Sequence, residues 1–291
     1  MFDRVAIVGM GCTAFGEHYG RSVEDLIVEA CYEAFEDAGI EPRDVQAAWW
    51  ATMDSGELGR SLAYPLKLRH IPITRVENRC ASSLDALRNA AFAVAAGEYD
   101  LVLVCGAEKL KDSGFPGVGF DPRAPYTARV DVEMSPPAAF AQAAVRYFHR
   151  YGIDLERGRE ILARIAVKNH RNGARNPKAH LRREITLEEA LRAPIVAWPL
   201  GLYDCCPVSD GAAAAIVTTA ERARQFRPDP VLIKGMGLCC GAYDPRVRDD
   251  RDLWTLEENA IAHRTAVVQP QRPGHDRRPQ GLLPVSYTHL T

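Results

Sequence analysis

Cys80 sits in Val76-Glu77-Asn78-Arg79-Cys80-Ala81-Ser82-Ser83-Leu84-Asp85-Ala86-Leu87, between an extended β-branched segment, Ile71 to Val76, and a run rich in small residues. In that run Leu84, Leu87, Ala91 and Val94 recur at helical spacing until Gly97, which predicts a helix over Ala81 to Ala96. The thiol therefore falls at or within one residue of a helix N-terminus. Unpaired N–H groups and the positive end of the helix dipole favour a thiolate there, lower the thiol pKa and make sulfur a nucleophile near neutral pH. The same N–H groups can hold a developing oxyanion. The competing reading is a small buried hydrophobe, the commoner fate of a free cysteine.

The seven other cysteines, at positions 12, 31, 105, 205, 206, 239 and 240, include no Cys-x-x-Cys spacing, so no zinc site is expected. Cys12, Cys31 and Cys105 lie in apolar or small-residue segments and read as reduced structural thiols. Cys205-Cys206 and Cys239-Cys240 flank turns and read as packing residues. His170 and His180 carry acid–base chemistry in principle, but neither has a partner assignable from sequence, so both read as structural. They belong to a stretch from Lys168 to His180 dense in cations and hydrogen-bond donors, read as a polar loop. Such a loop suits a phosphate-bearing ligand, although a solvated cationic surface is the commoner explanation.

The elements around the thiol follow from periodicity. Asp100 to Gly106 reads as a buried strand, which makes the segment from Ile71 to Gly106 a strand–helix–strand unit of the kind that presents functional groups at the carboxyl ends of its strands. A first strand from Val5 runs through Gly9-Met10-Gly11 into a glycine-rich loop, and Ser22 to Ala38 is an amphipathic helix with Ser22 and Asp25 as a capping box and Gly39 as its stop. Gly9-x-Gly11 lacks the third glycine of a dinucleotide fingerprint, since Ala14 stands at its place. Gln46 to Thr52 reads as a strand with Trp49 and Trp50 near its middle. From Lys111 to Pro137 Gly, Pro, Asp and Arg break the strand–helix rhythm and mark an inserted excursion. Helices over Ala138 to Tyr151 and Glu156 to Asn169 follow it, and a small-residue strand resumes after Ser209-Asp210-Gly211.

With 291 residues and 47% hydrophobic content, the chain has material for one large α/β domain or two moderate ones. A net charge of −2 from 36 basic and 38 acidic residues gives no electrostatic reason to expect nucleic acid or an anionic membrane as partner. No apolar stretch has the length of a membrane span, and Met1-Phe2-Asp3-Arg4 leads into a strand rather than a signal peptide, so the expected location is cytoplasmic.

Four blocks, in order, give the chain a resemblance to the thiolases, specifically the sterol-carrier or lipid-transfer branch. They are Cys80-Ala81-Ser82-Ser83, Gly106-Ala107-Glu108-Lys109, Lys168-Asn169-His170 with Asn176-Pro177, and Cys205-Cys206-Pro207-Val208-Ser209-Asp210-Gly211-Ala212-Ala213. The resemblance covers roughly residues 3 to 262. It implies a layered α/β fold with a complete N-terminal half over residues 1–225, an inserted loop region at about 110–200, and the start of a C-terminal half over 226–262. It also implies that Cys80 carries the acyl group of a 3-oxoacyl-CoA as a covalent thioester, with coenzyme A as substrate and leaving group and no separate cofactor. A homodimer is implied, and for the steroid or lipid side-chain aldolases of the same branch a small partner subunit. A non-catalytic acyl-CoA- or lipid-binding protein is the reading from another class.

Two departures qualify the resemblance. Ser83 stands where the family commonly has glycine, which is expected to narrow the acyl pocket. The second-half histidine that activates the nucleophile and the Cys-Gly block that moves the α-proton have no recognisable counterpart, so little turnover is expected of the chain as it stands. From His263 the sequence loses apolar periodicity, Gly274-His275-Asp276 lacks apolar neighbours, and Val285 to Leu290 reads as an adapter translation. Residues 263–291 are thus expected to be a frameshifted tail without a fold.

Overall fold

The computed structural model describes residues 3–56, 58–112, 135–240 and 257–268. They divide into two compact units. The first comprises, among the described residues, those up to 112 together with 209–239 and 258–268, and the second comprises 135–208.

The first unit is built on a six-stranded sheet in the order β3-β2-β4-β7-β1-β8. The strands are β1 (Val5–Cys12), β2 (Ala47–Ala51), β3 (Ile73–Val76), β4 (Leu101–Glu108), β7 (Gly211–Thr219) and β8 (Val231–Leu232). β2 pairs parallel with both β3 and β4, while β7 runs antiparallel between β4 and β1. The central strands are buried on both faces, which is why they read as continuous apolar runs rather than alternating ones. Alternate residues still sort to two cores. Trp50, Leu103, Cys105 and Ile216 pack with α1 (Val23–Ala38) and α2 (Arg60–Leu66), and Trp49, Val102, Val104 and Val217 pack with α3 (Ser82–Ala96). Each large side chain so buried contributes about 1.5–3 kcal/mol of transfer free energy.

Helix boundaries follow local chemistry. Ser22 and Asp25 form the capping box of α1, and Gly39 closes it with φ of 67°. Gly97 closes α3 with φ of 83°. Of the residues whose spacing predicted α3, Leu87, Ala91 and Val94 pack against the second core and Leu84 does not. Ala86, Ala90, Ala91 and Val94 are buried, whereas Leu84 is 44% exposed, because small residues let the helix lie close on the strands.

Gly9 and Gly11 lie within the first strand, as expected. β1 continues through both to Cys12, and a Cβ on either would lie 2.4 Å from the Ala34 carbonyl oxygen or 2.2 Å from that of Ala30, so the glycines let α1 rest on the strand. The same pattern recurs later. Val231-Leu232-Ile233-Lys234-Gly235-Met236-Gly237 repeats Val5-Ala6-Ile7-Val8-Gly9-Met10-Gly11 at five of seven positions. Cβ atoms on Gly235 and Gly237 would lie 2.1 Å from Ala266 O and 1.8 Å from Ala262 O of α7 (Glu257–Val268). β8 pairs antiparallel with β1, and Ala6 faces Leu232, its own counterpart in the repeat.

The second unit holds α4 (Pro136–Tyr151), α5 (Leu155–Arg175), α6 (Leu187–Arg192) and a hairpin of β5 (Ile195–Ala197) and β6 (Leu200–Gly201). Ala163, Ala166, Ile185 and Ala190 form its core. α5 runs six residues beyond the predicted stop at Asn169, so Lys168 to Arg175 are helical and not loop. Its polar side chains face solvent while Ala163, Ala166 and Gly173 are buried, and the helix ends only before Asn176-Pro177. α7 likewise continues five residues past His263, where the loss of periodicity predicted no structure. Residues 269–291, with Gly274-His275-Asp276 and the adapter-like terminus, lie outside the described residues, as do 113–134 of the inserted excursion. No described helix is long and apolar enough to cross a membrane.

Candidate active site

The carboxyl ends of β1, β2, β3 and β4 lie at one edge of the sheet, and β7 begins there. Cys80 stands at that edge, four residues beyond β3 and one before Ala81, the N-cap of α3. It is exposed, and among the described residues its thiol has no hydrogen-bond or ionic partner. The placement expected from sequence therefore holds, and the alternative of a buried inert thiol does not.

The turn that presents Cys80 is tightly specified. Arg79 adopts φ of 48°, a left-handed conformation that costs a non-glycine residue about 1 kcal/mol. Three bonds hold it: Arg79 N donates to Glu77 Oε1 (2.6 Å), Ala81 N to Asn78 O (3.0 Å) and Ser82 N to Arg79 O (3.1 Å). The buried Ser82 hydroxyl adds two more, donating to Arg79 O (2.5 Å) and accepting from Asn78 N (2.8 Å). With Ser82 N engaged, the Ser83 and Leu84 N–H groups at the head of α3 have no acceptor among the described residues. Ser83 Oγ lies where a Cβ on Gly106 of β4 would sit, so it occupies the space that a glycine in the strand leaves.

Two carboxylates fix the neighbouring loops. Glu108 at the end of β4 accepts from Thr52 Oγ1 (3.0 Å), Ser55 Oγ (2.8 Å) and Met53 N, binding the loop that follows β2. Arg75 of β3 holds that loop from the other side through Met53 O (2.8 Å) and Gly56 O (3.0 Å). Asp210, fully buried, accepts from Leu110 N (2.8 Å), Lys111 N (2.9 Å), His18 N (3.0 Å) and Lys109 Nζ (3.5 Å). Burial alone would raise its pKa, but those N–H donors and the Lys109 cation outweigh it and hold the carboxyl below the usual range. Sequence reading placed Glu108 and Asp210 in motif blocks without assigning them work. The available signal was an acid at the end of one apolar strand, β4, and another just before the small-residue strand β7, where partial or full burial demands donors.

Other thiols are of a different kind. Burial, helped by a hydrogen bond with Cys105, pushes the Cys31 thiol far up, and burial with Asp204 beside it raises Cys205. Both stay protonated and inert. His170 is occupied by Arg183 O (3.0 Å) and packs edge-on against Tyr203 at 5.2 Å, as a structural histidine would. No group of three His, Cys, Asp or Glu among the described residues is placed to hold a metal ion. In the second unit, Arg164, Lys168, Arg171 and Arg175 line one groove along α5 of about 350 Å³, and Lys168, Arg171 and Arg175 have no acidic partner among the described residues. Cation density read from the sequence as a loop is thus a helical face.

An exposed cysteine on a strand–turn–helix, at a sheet edge whose loops are pinned by Glu108 and the buried Asp210, can form a covalent thioester. Residues 5–221 match the family model for the thiolase N-terminal domain. The chain is 35% identical over 268 residues to an acetyl-CoA acetyltransferase of Methanothermobacter thermautotrophicus, covering 90% of this chain and 68% of that one. It is 32% identical over 248 residues to sterol carrier protein 2 of Gallus gallus, covering 80% and 44%. Among solved structures, an Ltp2-ChsH2(DUF35) aldolase superposes with a TM-score of 0.78 at 30% identity, covering 92% of this chain and 70% of that one. The chain spans 60% to 68% of the length of the two acetyl-CoA acetyltransferases it matches.

Proposed function

Since the chain belongs to the thiolase family, we propose that it carries the nucleophile of an acyl-CoA thiolase, with Cys80 forming an acyl thioester during cleavage or condensation of a 3-oxoacyl-CoA. The observation that carries this reading is the exposed Cys80 on a constrained turn before α3, with unengaged Ser83 and Leu84 N–H groups beside it. In the cleavage direction the Cys80 sulfur attacks the 3-carbonyl carbon, and the open N–H groups suit the oxyanion that forms. Collapse breaks the Cα–Cβ bond, and the electron pair leaves as the enolate of acetyl-CoA, which takes up a proton. A second coenzyme A then attacks the acyl-Cys80 thioester through its sulfur and releases the shortened acyl-CoA and the Cys80 thiol. A homodimer and a cytoplasmic location complete this reading.

Acylation is the half-reaction that Cys80 can show by itself. The chain, incubated with acetyl-CoA and digested, is expected to carry one acetyl group on the peptide containing Cys80, detected by mass spectrometry and absent from Cys80→Ala. A folded chain whose Cys80 reacts with iodoacetamide but never with acetyl-CoA would overturn the proposal.

The resemblance to an aldolase structure supports a second reading, carbon–carbon cleavage of a CoA-linked steroid or lipid side chain with a partner subunit. Such cleavage does not use the thiol. Retro-aldol release from a β-hydroxyacyl-CoA that survives Cys80→Ala would select it over thiolysis, whereas acyl-CoA binding without either reaction would select a non-catalytic role.

A further inference from the structure

The hydroxyl of Ser82 does more than begin a helix. It is buried, with 6% of the residue exposed, and it bridges two peptide groups of the turn ahead of it, accepting from Asn78 N at 2.8 Å and donating to Arg79 O at 2.5 Å. The carbonyl it holds belongs to the peptide bond that joins Arg79 to Cys80. That bond is the one whose orientation is set by the left-handed φ of 48° at Arg79, a conformation an arginine leaves readily when nothing holds it.

We propose that Ser82 is a positioning residue for Cys80: its hydroxyl locks the Arg79–Cys80 peptide and so fixes where the thiol stands relative to the open N–H groups of Ser83 and Leu84. This rests on the reading of Cys80 as the acyl-accepting nucleophile. The rest of the turn does not duplicate the lock. Glu77 Oε1 and Ser82 N hold Arg79 from exposed or backbone positions, but Ser82 Oγ alone ties Asn78 and Arg79 to one buried atom. A side-chain oxygen is required at this place: alanine would orphan the Asn78 N–H beneath the nucleophile and leave Arg79 O with the residue-82 backbone N–H as its remaining donor.

The test measures single-turnover acetylation of Cys80 by acetyl-CoA in the intact chain, beside the rate of its alkylation by iodoacetamide as a function of pH. Ser82→Ala is expected to slow acetylation roughly tenfold to a hundredfold, the scale of a misplaced reacting group, while alkylation, which needs no oxyanion geometry, changes far less. Ser82→Thr keeps the oxygen and is expected to restore acetylation. Should Ser82→Ala fold poorly, Arg79→Gly in the same chain removes the left-handed strain, and the double variant is expected to regain its fold and part of the lost rate. Equal loss of both reactions in a folded Ser82→Ala, no loss of acetylation, or no rescue by threonine would each overturn the inference. If wild-type Cys80 alkylates but is never acetylated, it is the thiolase reading that fails. The lock is then judged by alkylation alone, where Ser82→Ala must shift the pH profile and Ser82→Thr must restore it, and an unmoved profile refutes it.

Discussion

Ser83 and Gly106 act as one steric unit, although they are 23 positions apart in sequence (106 − 83), because α3 lays the serine over the glycine of β4. Gly106→Ala is expected to lower the unfolding free energy by about 1–2 kcal/mol, the size of a modest overpacking, and Ser83→Gly in the same chain to recover most of it. A urea-denaturation cycle on the four proteins checks this, and additive effects would show that the two side chains do not meet. Asp210 makes a stronger case, since its removal orphans three backbone N–H groups at once. Asp210→Ala is expected to cost about 3 kcal/mol, measured in the same way. Its depressed folded-state pKa also sets a direction with pH: the unfolded carboxyl titrates near ~3.9, so its contribution is complete above about pH 5 and is lost as pH falls through the folded pKa. Asp210→Asn is expected to flatten the loss of stability between about pH 5 and pH 3 in thermal melts. Cys80 was legible because a nucleophile has to be shown to solvent at a strand–helix junction, which leaves a local signature. Asp210 and Ser82 were not, since their work is to satisfy backbone groups brought together only by the sheet and the turn.

Elements were legible where their own side chains decide them. Capping boxes and closing glycines fixed the limits of α1, and the apolar runs of β2, β4 and β7 follow from burial on both faces. The end of α5 was misplaced because Lys168, Asn169, Arg171 and Asn172 look like a loop when read in order. On a helix they lie on the solvent side of a stripe formed by Ala163, Ala166 and Gly173. The glycines of β1 were placed on their strand, but the reason for them was not legible, because the pressure for glycine comes from the backbone of α1, far along the chain. Gly11→Ala is therefore expected to destabilise the first unit by about 2–3 kcal/mol despite the small size of the added methyl group, as its nearest obstacle is a backbone carbonyl that cannot rotate away. A melting temperature unchanged by the substitution would refute that account of the close approach.

At the scale of the molecule, the first unit contains one glycine–helix contact twice. Gly9 and Gly11 face Ala34 and Ala30 of α1, and Gly235 and Gly237 face Ala266 and Ala262 of α7, with the two strand copies paired antiparallel at equivalent residues. Antiparallel pairing of like with like, Ala6 against Leu232, is the local geometry of a two-fold relation between repeats. This explains why α7 holds its helix beyond His263 although its residues show little apolar periodicity: its backbone at Ala262 and Ala266, lying close on Gly237 and Gly235, supplies the contact that an apolar stripe supplies elsewhere. The expectation that structure stops at His263 weighed periodicity alone and missed a motif already used at the start of the chain. Gly237→Val places a branched side chain against the Ala262 carbonyl, and is expected to release α7 while leaving α1 docked. Hydrogen–deuterium exchange would then show protection lost over residues 257–268 and kept over 23–38. Equal protection of both helices in the variant would mean that α7 is held by something other than the repeated glycine contact.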